Sequence, residues 1–208
     1  MLFLKIDPAR ATLREIEQAG KILAKGGIAI YPTDTVYGLG CDVTNRNAVN
    51  RIYELKKREA KPLPILISSI NVALRIAQTN DAMLKLSRKF WPGGLTIKIY
   101  PAINFLSQFL DEEGKIAIRV PDHPIPRILA DFIGGMIVGT SANISGREPP
   151  TTAESALKQI GDVDVVIDSG PSKIGKPSTI IDVTGNEIKL VREGAIPFSR
   201  ILEELEVD

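Results

Sequence analysis

Apolar residues recur with two different periods along this 208-residue chain, and each switch between them marks a boundary between strand and helix. Residues 2–6 read as a strand. Asp7-Pro8 then opens a helix whose apolar face is Leu13, Ile16, Ala19, Ile22 and Leu23, and Gly26-Gly27 ends it. Strands follow at 27–31 and 39–43 around a polar loop, and Val49, Ile52, Tyr53 and Leu55 give residues 45–57 helical spacing. A strand at 62–67, helices at 72–77 and 82–90, and strands at 95–100 and 115–120 come next, with Trp91-Pro-Gly-Gly94 the sharpest break. The remainder reads as a helix at 124–133, a strand at 136–138, a helix at 152–160, and strands at 163–168 and 178–183. Gly185-Asn186 turns the last of these into 188–191, and a helix at 197–205 closes the pattern.

Strands alternating with helices, plus one late hairpin, predict an α/β chain of the α+β type, a twisted mixed sheet with helices on both faces. No break in composition and no internal repeat divides the chain, so residues 1–208 are expected to form a single domain.

Charge and cysteine content remove several function classes. Lys and Arg total 26 against 25 Asp and Glu, a net charge of +1, unlike the strong positive bias of a dedicated nucleic-acid binder. No apolar run approaches a membrane span, and MLFLKIDPAR lacks the basic and long apolar segments of a signal peptide. A cytoplasmic protein with no membrane partner is therefore expected. Cys41 is the only cysteine, which excludes an internal disulfide and a thiolate metal cage and reads as a small core residue.

The candidate chemistry starts at the loop after residue 31. Pro32 ends the strand, Thr33, Asp34, Thr35 and Tyr37 follow, and Gly38 and Gly40 permit close backbone approach. Hydroxyls and a carboxylate at a strand end suit a small polar ligand, and the same residues also suit an ordinary turn. Further polar patches are Lys56 to Arg58, Ser141 to Ser145, and Ser178 with Thr179, joined by Arg119 and Arg192. Taken singly, each reads as capping or turn chemistry. Together they describe a pocket of hydroxyls and cations suited to an anion with several oxygens. Gly170 to Lys176 imitates a phosphate-binding P-loop, but Pro177 stands where Ser or Thr is required, so it reads as a loop. His123 lies between prolines and reads as a turn or helix start, and no spacing of His, Asp or Glu marks a metal site.

Pro32-Thr-Asp-Thr-Val-Tyr-Gly-Leu-Gly40, Lys56-x-Arg58, Lys61-Pro-Leu63, Trp91-Pro-Gly93, Arg119-Val-Pro121, Ser141-Ala-Asn-x-Ser-Gly146, Pro177-Ser-Thr-Ile-Ile-Asp182 and Arg192-x-Gly194 together resemble the YrdC family. The resemblance covers nearly the whole chain in the family's order. It implies the YrdC-like fold with an open concave face, and the activity of the threonylcarbamoyl-AMP synthases, which serve threonylcarbamoyladenosine formation in tRNA. L-threonine, bicarbonate and ATP are the implied substrates, with Mg²⁺ held mainly by the ATP phosphates and a threonylcarbamoyl transferase complex downstream. Lys56, Arg58, Ser141 and Asn143 are the implied catalytic set. Thr33, Thr35, Tyr37, Arg119, Ser178 and Thr179 would hold threonine, and Ser145 and Arg192 would join Lys56, Arg58 and Asn143 on the nucleotide. Two positions depart from the family pattern: Gly94 stands where proline is frequent, and Leu66 or Ile67 where some longer members carry His. The competing readings are a double-stranded RNA or tRNA binding module, and a YciO-like paralogue with another activity.

Overall fold

A computed structural model describes residues 1–58, 61–105 and 107–206. The expected class holds, with the strands divided between two mixed sheets. In the first sheet, β1 (Leu2–Lys5), β9 (Val165–Asp168), β2 (Ala29–Tyr31), β3 (Gly38–Gly40) and β8 (Thr140–Ser141) lie side by side in that order. The second runs β11 (Lys189–Arg192), β10 (Thr179–Asp182), β5 (Leu95–Ile99), β6 (Ile116–Arg119), β4 (Ile65–Ile67) and β7 (Met136–Val138). β8 is too short for its period to register in the sequence, where Ser141 to Ser145 stand out only as a polar patch.

Only Gly139 separates β7 from β8, so the chain changes sheet within one residue. The seam is continued on the other side, where Val138 N donates to Cys41 O at 3.0 Å and Asp42 bridges Ile137. Tyr31 fastens it from beneath, its hydroxyl donating to Val138 O at 2.5 Å. A Cβ on Gly38 would lie 2.6 Å from the Tyr31 ring, and one on Gly40 would lie 2.9 Å from it and strike the Val138 carbonyl. The two loop glycines therefore make room for a core tyrosine and not for a ligand.

Period-two alternation assigns each strand two destinations. Ile28 and Ile30 face a large core shared with Leu95, Ile97 and Ile118, into which α2 (Arg46–Leu55), α3 (Ile70–Ile76), α4 (Asp81–Phe90), α6 (Ala153–Ile160) and α7 (Phe198–Glu206) also pack. Ala29, Tyr31, Val165 and Ile167 face a smaller core closed by α1 (Leu13–Ala24) and α5 (Pro124–Phe132). On the second sheet, helices cover the face of β5, β6 and β10 that carries Leu95, Ile97, Ile118 and Ile181. Their opposite face lines a cavity.

His123 does begin a helix. Its Nδ1 accepts from Ile125 N at 3.3 Å as the N-cap of α5, and its Nε2 lies 3.3 Å from Ser169 Oγ. An acceptor at Nδ1 makes Nε2 the protonated nitrogen, so the neutral ring serves both contacts. Burial pushes its pKa down from 6.5 to about 4. Between those values the unfolded chain binds the extra proton, so stability falls as pH drops across that window. Urea midpoints are expected to decline from pH 7 to pH 4.5 in the native sequence, and His123→Asn, which keeps a cap acceptor without titrating, is expected to remove most of that decline. Equal declines in both proteins would refute the assignment.

Candidate active site

The floor of the cavity follows from strand register. β10 and β5 run parallel with Ile180 opposite Thr96 and Asp182 opposite Lys98, while antiparallel β6 sets Ala117 opposite Lys98, and β4 sets Leu66 beside Arg119. All seven side chains line one cavity of about 580 Å³. Its walls are the 32–36 loop, Arg58 with Lys61, Pro62 and Pro64, Phe109 to Lys115, and Gly139 to Ser141. A second chamber of about 500 Å³ adjoins it, lined by Lys56, Lys57, Arg58, Lys61, Ser141, Asn143, Ser145 and Gly146. Arg58, Lys61 and Ser141 line both, so they form the junction.

The end of α2 explains how Lys56 and Arg58 come to differ. Lys57 takes a left-handed conformation, φ 49°, with Lys57 N donating to Glu54 O at 3.0 Å and Arg58 N to Tyr53 O at 3.1 Å. This is a Schellman helix stop with lysine in the place usually held by glycine. Lys56, before the turn, is 2% exposed, and its Nζ donates to Ser141 O at 2.5 Å and Asn143 O at 2.8 Å. Burial, then the charge of Arg58, push the Lys56 ammonium down to about 8. Two of its three donors are committed to backbone. Lys56 thus staples the 141–143 turn to α2 before any phosphate is considered. Arg58, beyond the turn, has no side-chain hydrogen bond or ion pair among the described residues and reaches both chambers.

Asn143 is held the same way, its Nδ2 donating to Ile144 O at 3.0 Å and Arg147 O at 2.7 Å. Its Oδ1 is buried and has no partner, although the residue lines the second chamber. A buried acceptor left unpaired costs about 1–3 kcal/mol, which a donor on a ligand would recover.

Arg119 lines the main chamber from β6, 5% exposed. Its Nη2 pairs with Asp34, its Nη1 donates to Thr35 Oγ1 at 2.8 Å, and its Nε donates to Gly93 O at 2.8 Å. Burial lowers its pKa and the Asp34 charge opposes that shift. Arg192 enters from β11, its Nη2 donating to Ser178 O at 2.8 Å, while Ser178 Oγ lies 2.8 Å from Thr96 Oγ1. Burial lowers its pKa first, then the charges of Arg119 and Arg58, so the three guanidinium groups feel one another. The far end differs: Lys98 pairs with Asp111, and Lys115 pairs with Glu113 and with Asp182 at 2.7 Å.

Thr35, Arg58, Arg119, Ser141, Ser178 and Arg192 therefore meet in the main chamber, and Lys56, Asn143 and Ser145 in its neighbour. Three expected residues stand outside both. Thr33 Oγ1 donates to Val36 O at 2.6 Å and accepts from Thr35 N and Val36 N, so its hydroxyl is consumed by its own turn. Tyr37, fully buried, donates to Gly170 O at 2.7 Å behind the loop. Thr179 faces away from the cavity and bonds to Gly194 and Ile196. Conversely Thr96, Lys98, Lys115 and Asp182 were missed, although the alternation at 95–100 and 115–120 already put Thr96 and Lys98 on the face opposite Leu95, Ile97 and Ile99. Leu66, and not Ile67, is the aliphatic that faces the ligand space. The P-loop imitation lines neither chamber and instead backs the 34–35 loop, with Ile174 N and Gly175 N donating to Asp34 O and Thr35 O at 2.9 Å each. Among the described residues no group of three or more His, Cys, Asp or Glu side chains is placed to hold a metal, and no helix is long and apolar enough to cross a membrane.

The Sua5/YciO/YrdC family model, described as telomere recombination, matches residues 21–194. The chain belongs to that family. A Mycobacterium tuberculosis member provisionally named threonylcarbamoyl-AMP synthase is 37% identical over 205 residues, 97% of this chain and 94% of that protein. One from Methanocaldococcus jannaschii with the same provisional name is 40% identical over 190 residues, 89% of this chain and 88% of that protein. The crystal structure of Pyrococcus abyssi Sua5 complexed with L-threonine superposes with a TM-score of 0.89 at 31% identity, covering 99% of this chain. This chain spans 60% of that longer Sua5 chain. In this member of the Sua5/YciO/YrdC family, the buried guanidinium of Arg119 depends on Asp34 for its counter-charge. Asp34→Ala is expected to lower stability by about 3–5 kcal/mol by stranding a buried charge, and Asp34→Ala with Arg119→Met by clearly less, measured by urea denaturation. A double variant as unstable as the two single losses added would dismiss the pair as the cause.

Proposed function

We propose that the protein is a threonylcarbamoyl-AMP synthase, joining L-threonine, bicarbonate and ATP with release of pyrophosphate. The observation that carries this reading is the pair of communicating chambers with Arg58, Lys61 and Ser141 at their junction. Two chambers of these sizes suit two small ligands, and an anionic reaction centre belongs where uncompensated cations reach from both sides. The similarity to relatives named for this activity, and to a Sua5 structure holding L-threonine, supports the same assignment.

Threonine's amine and bicarbonate form a carbamate with loss of water. A carbamate oxygen then bonds to the α-phosphorus of ATP as the bond to the bridging oxygen breaks, and pyrophosphate leaves with that electron pair. Such a transfer needs alignment and charge neutralisation more than a nucleophilic side chain. Arg58 and Lys61 neutralise the phosphates, and the Ser141 hydroxyl, which makes no side-chain hydrogen bond among the described residues, donates to an oxygen at the junction. Arg119 retains two of its five N–H groups after the three bonds above, enough to hold the threonine carboxylate beside Thr35 and Ser178. Arg192 and Ser145 serve the nucleotide. The Asn143 Oδ1 acceptor takes a donor there as well.

Mg²⁺ fits best as an ion carried by the triphosphate, where it neutralises phosphate charge. Of the four carboxylates lining the main chamber, Asp111, Glu113 and Asp182 are each held by Lys98 or Lys115, so only Glu112 is left and it makes no ready set of protein ligands. The product is a mixed anhydride suited to a cytoplasmic threonylcarbamoyl transferase complex acting on tRNA.

Mass spectrometry of products from ATP, bicarbonate and a panel of amino acids is expected to show threonylcarbamoyl-AMP with threonine as the preferred substrate. Arg58→Ala is expected to slow its formation about 100-fold or more with little change in thermal midpoint, because the side chain has no structural partner among the described residues. No threonine-dependent product from the native protein would end the proposal.

A further inference from the structure

We infer that Thr179 is a positioning residue that sets Arg192 in the cavity through the segment 193–197; the inference rests on the reading of Arg192 as a nucleotide contact. Arg192 needs such a restraint. It ends β11, an edge strand whose four residues are all exposed and whose pairing with β10 slips register between Ile180 and Ile181. Its charge is opposed by those of Arg119 and Arg58, which favours swinging out toward water. The ladder that carries Arg192 is thus broken directly beside it, and the electrostatics work against its inward placement.

What holds it lies one residue beyond the strand. Thr179, 0% exposed, begins β10 with its side chain on the face opposite Ile180 and Asp182. Its hydroxyl donates to Ile196 O at 2.5 Å and accepts from Gly194 N and Ile196 N at 3.0 Å each. One proton and two lone pairs are all a threonine hydroxyl has, so nothing remains for a ligand. Ala195 N adds a bond to Pro177 O at 2.7 Å, which seals the strap against residues 177–179. The fit leaves no slack: a Cβ on Gly194 would come within 2.7 Å of the Ser178 carbonyl, and one on Gly94 within 2.8 Å of Ala195 Cβ. The Arg192 guanidinium bonds to that same Ser178, so strap, strand and side chain close on one short segment. At the other end, Phe198 N donates to Glu193 Oε1 at 2.8 Å, tying the strap to the start of α7.

The test is calorimetric binding of a non-hydrolysable ATP analogue, with L-threonine binding in its absence as the companion measurement. Thr179→Val is expected to weaken the analogue about 10-fold and leave threonine affinity unchanged, and Thr179→Ser is expected to restore most of the loss. In an Arg192→Ala background, Thr179→Val is expected to add nothing. An equal loss in both backgrounds, or a Thr179→Ser variant as weak as Thr179→Val, overturns the positioning role. Unaltered analogue binding by Arg192→Ala overturns the assignment of Arg192 itself and is distinguishable from either. Gly194→Ala, which displaces the strap while leaving the hydroxyl itself in place, is the second probe should Thr179→Val not fold, with the same dependence on Arg192 expected and the same independence counting against the proposal.

Discussion

A guanidinium buried between two sheets is costly unless its charge is answered, and the site depends on how Arg119 is answered. Desolvation disfavours the charge, and attraction to Asp34 offsets that only because Thr35 and Gly93 take other donors. Those three partners come from different places: the loop between β2 and β3 in the first sheet, and the turn that leads into β5 in the second. Satisfying one side chain therefore fixes the relative position of three backbone segments, which is what a cavity built from scattered residues requires. Asp34 is 3% exposed, so its neutralising charge acts largely from within the protein.

The charge of the cavity is divided along its length. Arg58 and Lys61 carry no ion partner among the described residues, whereas Lys98 and Lys115 are matched by Asp111, Glu113 and Asp182. An anion entering such a space is drawn to one end and gains little at the other, so the arrangement orients a nucleotide before any specific contact forms. A net charge of +1 conceals this, because the compensation is spatial and not compositional.

Strand and helix positions were legible because both periods are carried by neighbouring residues; Leu95, Ile97 and Ile99 against Thr96 and Lys98 display theirs openly. The split into two sheets was not, since it turns on Gly139 and on pairings between distant strands that no local window contains. The polar segments around Arg58, Ser141 and Arg192 were legible as candidates from their places at element ends. Their directions were not. Thr33, Tyr37 and Thr179 sit in those same segments, yet their hydroxyls saturate backbone groups, because a hydroxyl at a strand end serves a turn as readily as a ligand.

Lys56 and Arg58 show why spacing carries more information than residue type. The left-handed residue between them ends the helix, so the two cations leave it in directions set by the stop and not by a shared helical face. Lys56 is sent inward, where two backbone carbonyls of the 141–143 turn absorb its donors, and Arg58 outward to the junction of the chambers. The lysine then shapes the seat that Ser141 and Asn143 present, while the arginine meets what occupies it. A single intervening residue is enough for this because the helix stop needs only one left-handed position, and that geometric need, more than the sum of two positive charges, accounts for the Lys-x-Arg pattern in this chain.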